Sequence, residues 1–108
     1  MIQEIDVRSF AAAHRDGATI VDVREAHEYE SGHVPGSRNI PLSQLPYRLH
    51  ELPKRERIHL ICESGSRSAT AAAHLSSAGF QALTVVGGVS AWRSAGQPTV
   101  TGSRANVA

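Results

Sequence analysis

Cysteine is nearly absent from this chain of 108 residues, with Cys62 as its one thiol. A lone cysteine excludes an internal disulfide and agrees with a reducing compartment. Long apolar runs are missing too. Nothing approaches the roughly 20 apolar residues that cross a bilayer, and the opening MIQEIDVRSF lacks the basic-then-apolar order of a signal peptide. A cytoplasmic protein that uses no membrane is therefore expected. An excess of charge of either sign is also lacking: 11 Lys+Arg stand against 10 Asp+Glu, for a net charge of +1. That balance gives no electrostatic case for a nucleic-acid partner or an anionic membrane surface. Repeats and low-complexity tracts are absent. What the chain does have is 41% hydrophobic residues, enough for the core of one compact domain.

Short β-rich runs alternate with helical segments. Ile2–Ile5 reads as a strand, and Asp6 as the N-cap of a helix with Val7, Phe10, Ala11 and His14 on one face. TIVDV at 19–23 is a second strand and Arg24–Ser31 a short polar helix. GHVPGSRNIPL reads as a turn with a brief strand near Arg38–Ile40, and Ser43–Leu49 as a helix stopped by Pro53. IHLIC at 58–62 has the pattern of a buried strand. A Gly/Ser loop over Glu63–Ser66 follows it, then an alanine-rich helix over Arg67–Ala78. Gly79 suits the left-handed position ending that helix, with Phe80 closing over Leu75. ALTVV at 82–86 is the last strand, Gly87-Gly88 a tight turn, and Val89–Ala95 a final helix holding Trp92. This order predicts an α/β domain over residues 1–98, with a parallel sheet of about five strands and helices on both faces. The small polar residues 99–108 read as a flexible C-terminal tail.

In such sheets ligands bind beyond the carboxyl ends of the strands, where Cys62 falls. A strand-end cysteine, a small-residue loop and a helix start make a cradle for an anion. The amides of Glu63, Ser64, Gly65 and Ser66 and of the first helical turn lack intrahelical partners and can converge on one point. Gly65 allows backbone angles that a side chain resists. A thiol at that focus is expected to lose its proton readily and to act as a nucleophile. Arg67 places a cation where the helix dipole opposes one, which an anion in the loop would explain. Ser66 and Ser68 read most simply as cap residues.

Three stretches in order, VDVREAHEYESGHVPGSRNIPL, CESGSRS and GGVSAW, resemble the rhodanese family over roughly residues 4 to 98. The resemblance implies a rhodanese-like domain and a sulfurtransferase that carries sulfur as a persulfide on Cys62, within a six-residue loop from Cys62 to Arg67. It also implies an Asp-x-Arg pair, Asp22 and Arg24, in a supporting structural role. The implied partners are a small sulfur donor, thiosulfate or a persulfide, and a thiol, protein-thiol or cyanide acceptor. The protein is expected to be a monomer or weak homodimer, with no cofactor. Tyrosine phosphatases place five residues between cysteine and arginine; this chain places four, a cradle better fitted to a persulfide sulfur than to phosphate. A binding or redox-sensing module without turnover is the alternative reading, and intact Cys62 and Arg67 count against it.

Glu63 departs from what a dianion binder wants. Pointing inward it would repel thiosulfate; pointing outward it would not. Glu25, Glu28 and Glu30 read as solvated charges. The histidines 14, 27, 33, 50, 59 and 74 include no i, i+4 pair, so no metal site is expected. His33 is expected to bond its turn, His59 to pack within its strand, and Trp92 to anchor the last helix in the core.

Overall fold

A computed structural model describes residues 2–106. Five parallel strands form one sheet: β1 (Gln3–Ile5), β2 (Thr19–Asp22), β3 (Arg38–Asn39), β4 (Arg57–Ile61) and β5 (Gln81–Val85), in the spatial order β1-β5-β4-β2-β3. β4 and β5, each buried at four of five positions, lie side by side near the centre. Runs buried on both faces are what a parallel sheet demands. Among the described residues, no helix is long and apolar enough to cross a membrane.

The helices α1 (Val7–Arg15), α2 (Ala26–Ser31) and α3 (Ser66–Ser77) lie in the β1–β2, β2–β3 and β4–β5 connections, and α4 (Gly88–Ser94) follows β5. Asp6 caps α1 by accepting the Ser9 N–H at 2.7 Å. Phe10 and Ala11 then join Trp92, Val89 and Ile61 in one apolar cluster. Trp92 is 1% exposed and meets the Phe10 ring edge-on at 5.4 Å. The second cluster holds Ala71, Ala72 and Leu75 of α3 against Val21, Ile58, Leu60 and Ala82 of the sheet. Small alanines let α3 lie close to the strands. Its end follows the expected geometry: Gly79 has φ +91°, and the N–H groups of Phe80 and Gly79 donate to the carbonyls of Leu75 and Ser76 at 3.0 and 3.1 Å.

Two segments differ from expectation. Ser43–Leu49 forms no α-helix; it gives two 3₁₀ turns, Leu45–Tyr47 and Leu49–Glu51. Pro46 has no N–H to donate, and its ring obstructs the preceding α-turn. The stretch from Thr99, expected to be loose, is hydrogen-bonded to the body as far as Ala105. Val100 forms an antiparallel bridge with His33, and the Gly102 N–H donates to Glu30 O at 2.8 Å. Pro98 O accepts the Trp92 indole N–H at 2.8 Å. His33 is fully buried and stacked 3.6 Å from the Tyr29 ring. Its Nε2 lies 2.7 Å from Arg104 O, so it reaches well beyond its own turn. Residues 107 and 108 lie outside the described residues.

Candidate active site

Cys62 immediately follows β4, and the loop to Gly65 turns the chain into α3. Gly65 is the N-cap of α3 with φ +114° and ψ −15°, a conformation that only glycine adopts freely. The helix therefore starts one residue earlier than the sequence pattern suggests. The Cys62 Sγ accepts the Gly65 N–H at 3.1 Å and the Ser68 N–H at 3.3 Å, and lies 3.4 Å from Ser68 Oγ. Burial is the largest single influence on the thiol and works against ionisation. The Ser68 hydroxyl and the N–H groups of Ser68, Gly65 and Ser64 together outweigh it and leave the pKa below its ordinary value. The residue is 1% exposed and belongs to the apolar cluster that also holds Val23, Ile40 and Ala71.

Ser68 is more than a cap residue. Its hydroxyl, fully buried, contacts Thr84 Oγ1 on β5 at 2.7 Å and Gly65 O at 3.1 Å as well as the sulfur. Thr84 is the supporting residue that the sequence reading missed, since its side chain meets Ser68 only through the β4–β5 pairing. Thr84 can donate to Ser68, and the single Ser68 proton is then shared between Gly65 O, its acceptor at 3.1 Å, and a thiolate at Sγ, to which it turns when the charge forms. In Ser68→Ala the thiolate loses one donor, so its protonation midpoint is expected to rise. At a pH well below the wild-type midpoint the thiolate fraction should fall roughly ten- to a hundredfold, given ~1.5–3 kcal/mol for a hydrogen bond to a charged group. Titration by thiolate ultraviolet absorbance checks this without any reagent entering the site; an unmoved midpoint would remove Ser68 from the account.

The N-terminus of α4 closes the other side of the loop. Val89 and Ser90 donate their N–H groups to Cys62 O and Glu63 O at 2.8 and 3.0 Å. Gly88, with φ +57°, sits so close that a Cβ there would meet Cys62 O at 2.2 Å and Glu63 O at 2.6 Å. The GGVSAW stretch is thus the buttress of the cysteine loop.

The charged residues form pairs. Asp22 and Arg24 are 0% and 1% exposed. Asp22 accepts from the Arg24 backbone N–H and Nε at 3.0 Å each and from Nη2 at 2.8 Å. Arg24 also donates to Gly32 O at 2.8 Å and to Glu63 Oε1 at 3.1 Å. Glu63 Oε2 accepts from Ser90 Oγ at 2.8 Å and Arg93 Nη1 at 3.2 Å. Two cations compensate the charge that follows the nucleophile. Glu28, expected to be solvated, instead holds Arg67 through Nη1–Oε1 at 2.7 Å and Nη2–Oε2 at 2.9 Å. No hydrogen bond joins Arg67 to the loop. Ser64 contributes through its N–H, and Ser66 stands at the first position of α3. His59 is nearly buried in β4, beside Phe10, and burial lowers its pKa.

Residues 5–95 match the rhodanese-like domain family. A sulfurtransferase of Allochromatium vinosum is 34% identical over 103 residues, which cover 93% of this chain and 96% of that protein. YrkF of Bacillus subtilis is 38% identical over 94 residues, or 84% of this chain, which spans only 51% of YrkF. The crystal structure of a rhodanese-related protein from Thermoplasma volcanium superposes with a TM-score of 0.87 at 32% identity. The match covers 93% of this chain and 99% of that one. The chain belongs to the rhodanese-like domain family, and its five-stranded parallel sheet is that family's fold.

Proposed function

We propose that this protein is a sulfurtransferase that carries sulfane sulfur on Cys62. The observation that carries the reading is the thiol at the head of α3 with two N–H groups on its sulfur, Gly65 at 3.1 Å and Ser68 at 3.3 Å. A relative named for sulfur transfer supports it. In the first half-reaction the Cys62 thiolate attacks the outer sulfur of a donor. With thiosulfate, the sulfur–sulfur bond breaks, its electron pair leaves on sulfite, and Cys62 is left as a persulfide anion. In the second, an acceptor thiolate or cyanide attacks that outer sulfur. Thiocyanate or a new persulfide departs, and the Cys62 thiolate is restored. The loop amides act on both steps, because each begins and ends with negative charge on sulfur. Asp22, Arg24 and Ser68 serve as supporting residues, and no cofactor is needed for the electron balance. The four-residue spacing from Cys62 to Arg67 favours this chemistry over phosphate ester hydrolysis.

Intact-protein mass spectrometry tests the reading. After treatment with thiosulfate or a low-molecular-weight persulfide the chain should gain one sulfur atom, and cyanide should remove it as thiocyanate. No gain with any sulfane donor would leave the domain a binding or redox-sensing module.

A further inference from the structure

The guanidinium at the end of the cysteine loop is already engaged. Arg67 presents both terminal nitrogens to both oxygens of Glu28, the two-pronged arrangement with which arginine takes carboxylates and oxyanions alike. Glu28 is held for the purpose from its own side. It is the third residue of α2, and its Oε1 also accepts the Glu25 backbone N–H at 3.0 Å, completing a capping box. The ion pair with Arg67, followed by burial acting the other way, holds the Glu28 carboxyl down at about 2. It therefore stays charged at every pH where a thiol works.

The remaining charges are matched as closely. Arg24 pairs with Asp22 and Glu63, and Arg93 with Glu63. Arg24, Arg67 and Arg93 thus stand against Asp22, Glu28 and Glu63. The uncompensated positive potential is the ring of N–H groups on Sγ, which suits one negative sulfur. A dianion with a sulfonate end would need the Arg67 fork, and would have to displace Glu28 or sit beside it.

On the footing of the sulfurtransferase reading, we propose that Glu28 is a specificity-determining residue. By occupying the Arg67 fork it disfavours oxyanionic donors such as thiosulfate and leaves the site to thiol persulfides, whose reacting end is sulfur alone. Selectivity against the dianion comes from the first helix after β2, and not from Glu63, whose charge two arginines compensate.

Glu28→Gln tests this in the full chain, since the amide keeps the capping-box reach and loses the charge. Thiosulfate and glutathione persulfide serve as donors, with kcat and KM measured separately. The KM for thiosulfate should fall on the order of tenfold, the release of one charge-assisted pair, with kcat within about twofold; the persulfide KM should hardly move. The gain should vanish in Glu28→Gln/Arg67→Gln, because it requires the freed fork and not merely one negative charge fewer. A thiosulfate KM that is unchanged or raised in Glu28→Gln, or a gain that survives without Arg67, would overturn the proposal. Wild type and variant that take up sulfur from neither donor would remove the underlying reading and the specificity role with it. Uptake from both donors with an unaltered preference removes the specificity role alone.

Discussion

Cys62→Ser is expected to take up no sulfur from any donor while melting within a few degrees of the wild-type protein. The chemical loss is complete because a serine hydroxyl keeps its proton at neutral pH and offers no polarisable thiolate to a sulfane sulfur. The structural loss is small because an Oγ still accepts from the Gly65 and Ser68 N–H groups that now meet Sγ. Cys62→Ala separates the two roles. It removes the acceptor and leaves both N–H groups in a nearly closed pocket, where each orphaned donor costs about 1–3 kcal/mol. The alanine variant should therefore be the less stable of the two, although cysteine in a core behaves as a small hydrophobe. Thermal melts of the three proteins beside their mass spectra give the answer. An alanine variant as stable as the serine one would mean that the N–H groups do not depend on the sulfur. Any sulfur uptake by Cys62→Ser would place the carrier elsewhere.

Much of the fold is legible in local sequence signals. Asp6 before an apolar-periodic segment marks α1, the alanine run followed by Gly79 and Phe80 marks α3 and its end, and β-branched runs mark the inner strands. These signals are short-range, so the backbone obeys them whatever lies across the sheet. Alternation of strands and helices likewise requires parallel pairing, but it leaves the order β1-β5-β4-β2-β3 open. That order brings the cysteine loop, the start of α4 and the end of β2 to one edge. The residues that misled, or stayed hidden, are those whose partners lie across this arrangement. Glu28 and Arg67 are 39 positions apart, and Ser68 and Thr84 are 16 apart. Glu28 and its neighbours look like a solvated acidic patch until the fold turns one of them toward the loop. His33 reads as part of its own turn until the chain returns with Val100 and Arg104. The failed helix at Ser43–Leu49 is of another kind, because Pro46 was visible and its local veto outweighs the apolar spacing.

Asp22→Ala should cost the protein about 3–5 kcal/mol, a large share of the roughly 5–15 kcal/mol by which domains are stable. Asp22 and Arg24 are 0% and 1% exposed, and four of the hydrogen bonds of Arg24 run to the Asp22 carboxylate. Truncation strands a guanidinium inside the protein with Gly32 O and the partly exposed Glu63 as its remaining partners. Burial itself works against that charge, and Asp22 is the main group that offsets it. Losing the partner is costly for that reason, although the intact pair adds little net stability over an apolar one of similar volume. The damage should be graded. Asp22→Asn keeps an acceptor oxygen for the Arg24 N–H and should lose less than the alanine variant. A double change of Asp22 and Arg24 to apolar residues should recover stability relative to Asp22→Ala. Urea denaturation with an unchanged m-value, and a fall in melting temperature of more than about 10 °C, would place the effect in the folded state. The site should respond in step, because Arg24 holds one oxygen of Glu63 beside the cysteine, leaving Arg93 and Ser90 to hold the other. Asp22→Ala that melts near wild type yet takes up no sulfur would contradict this account and put the carboxylate in the chemistry itself.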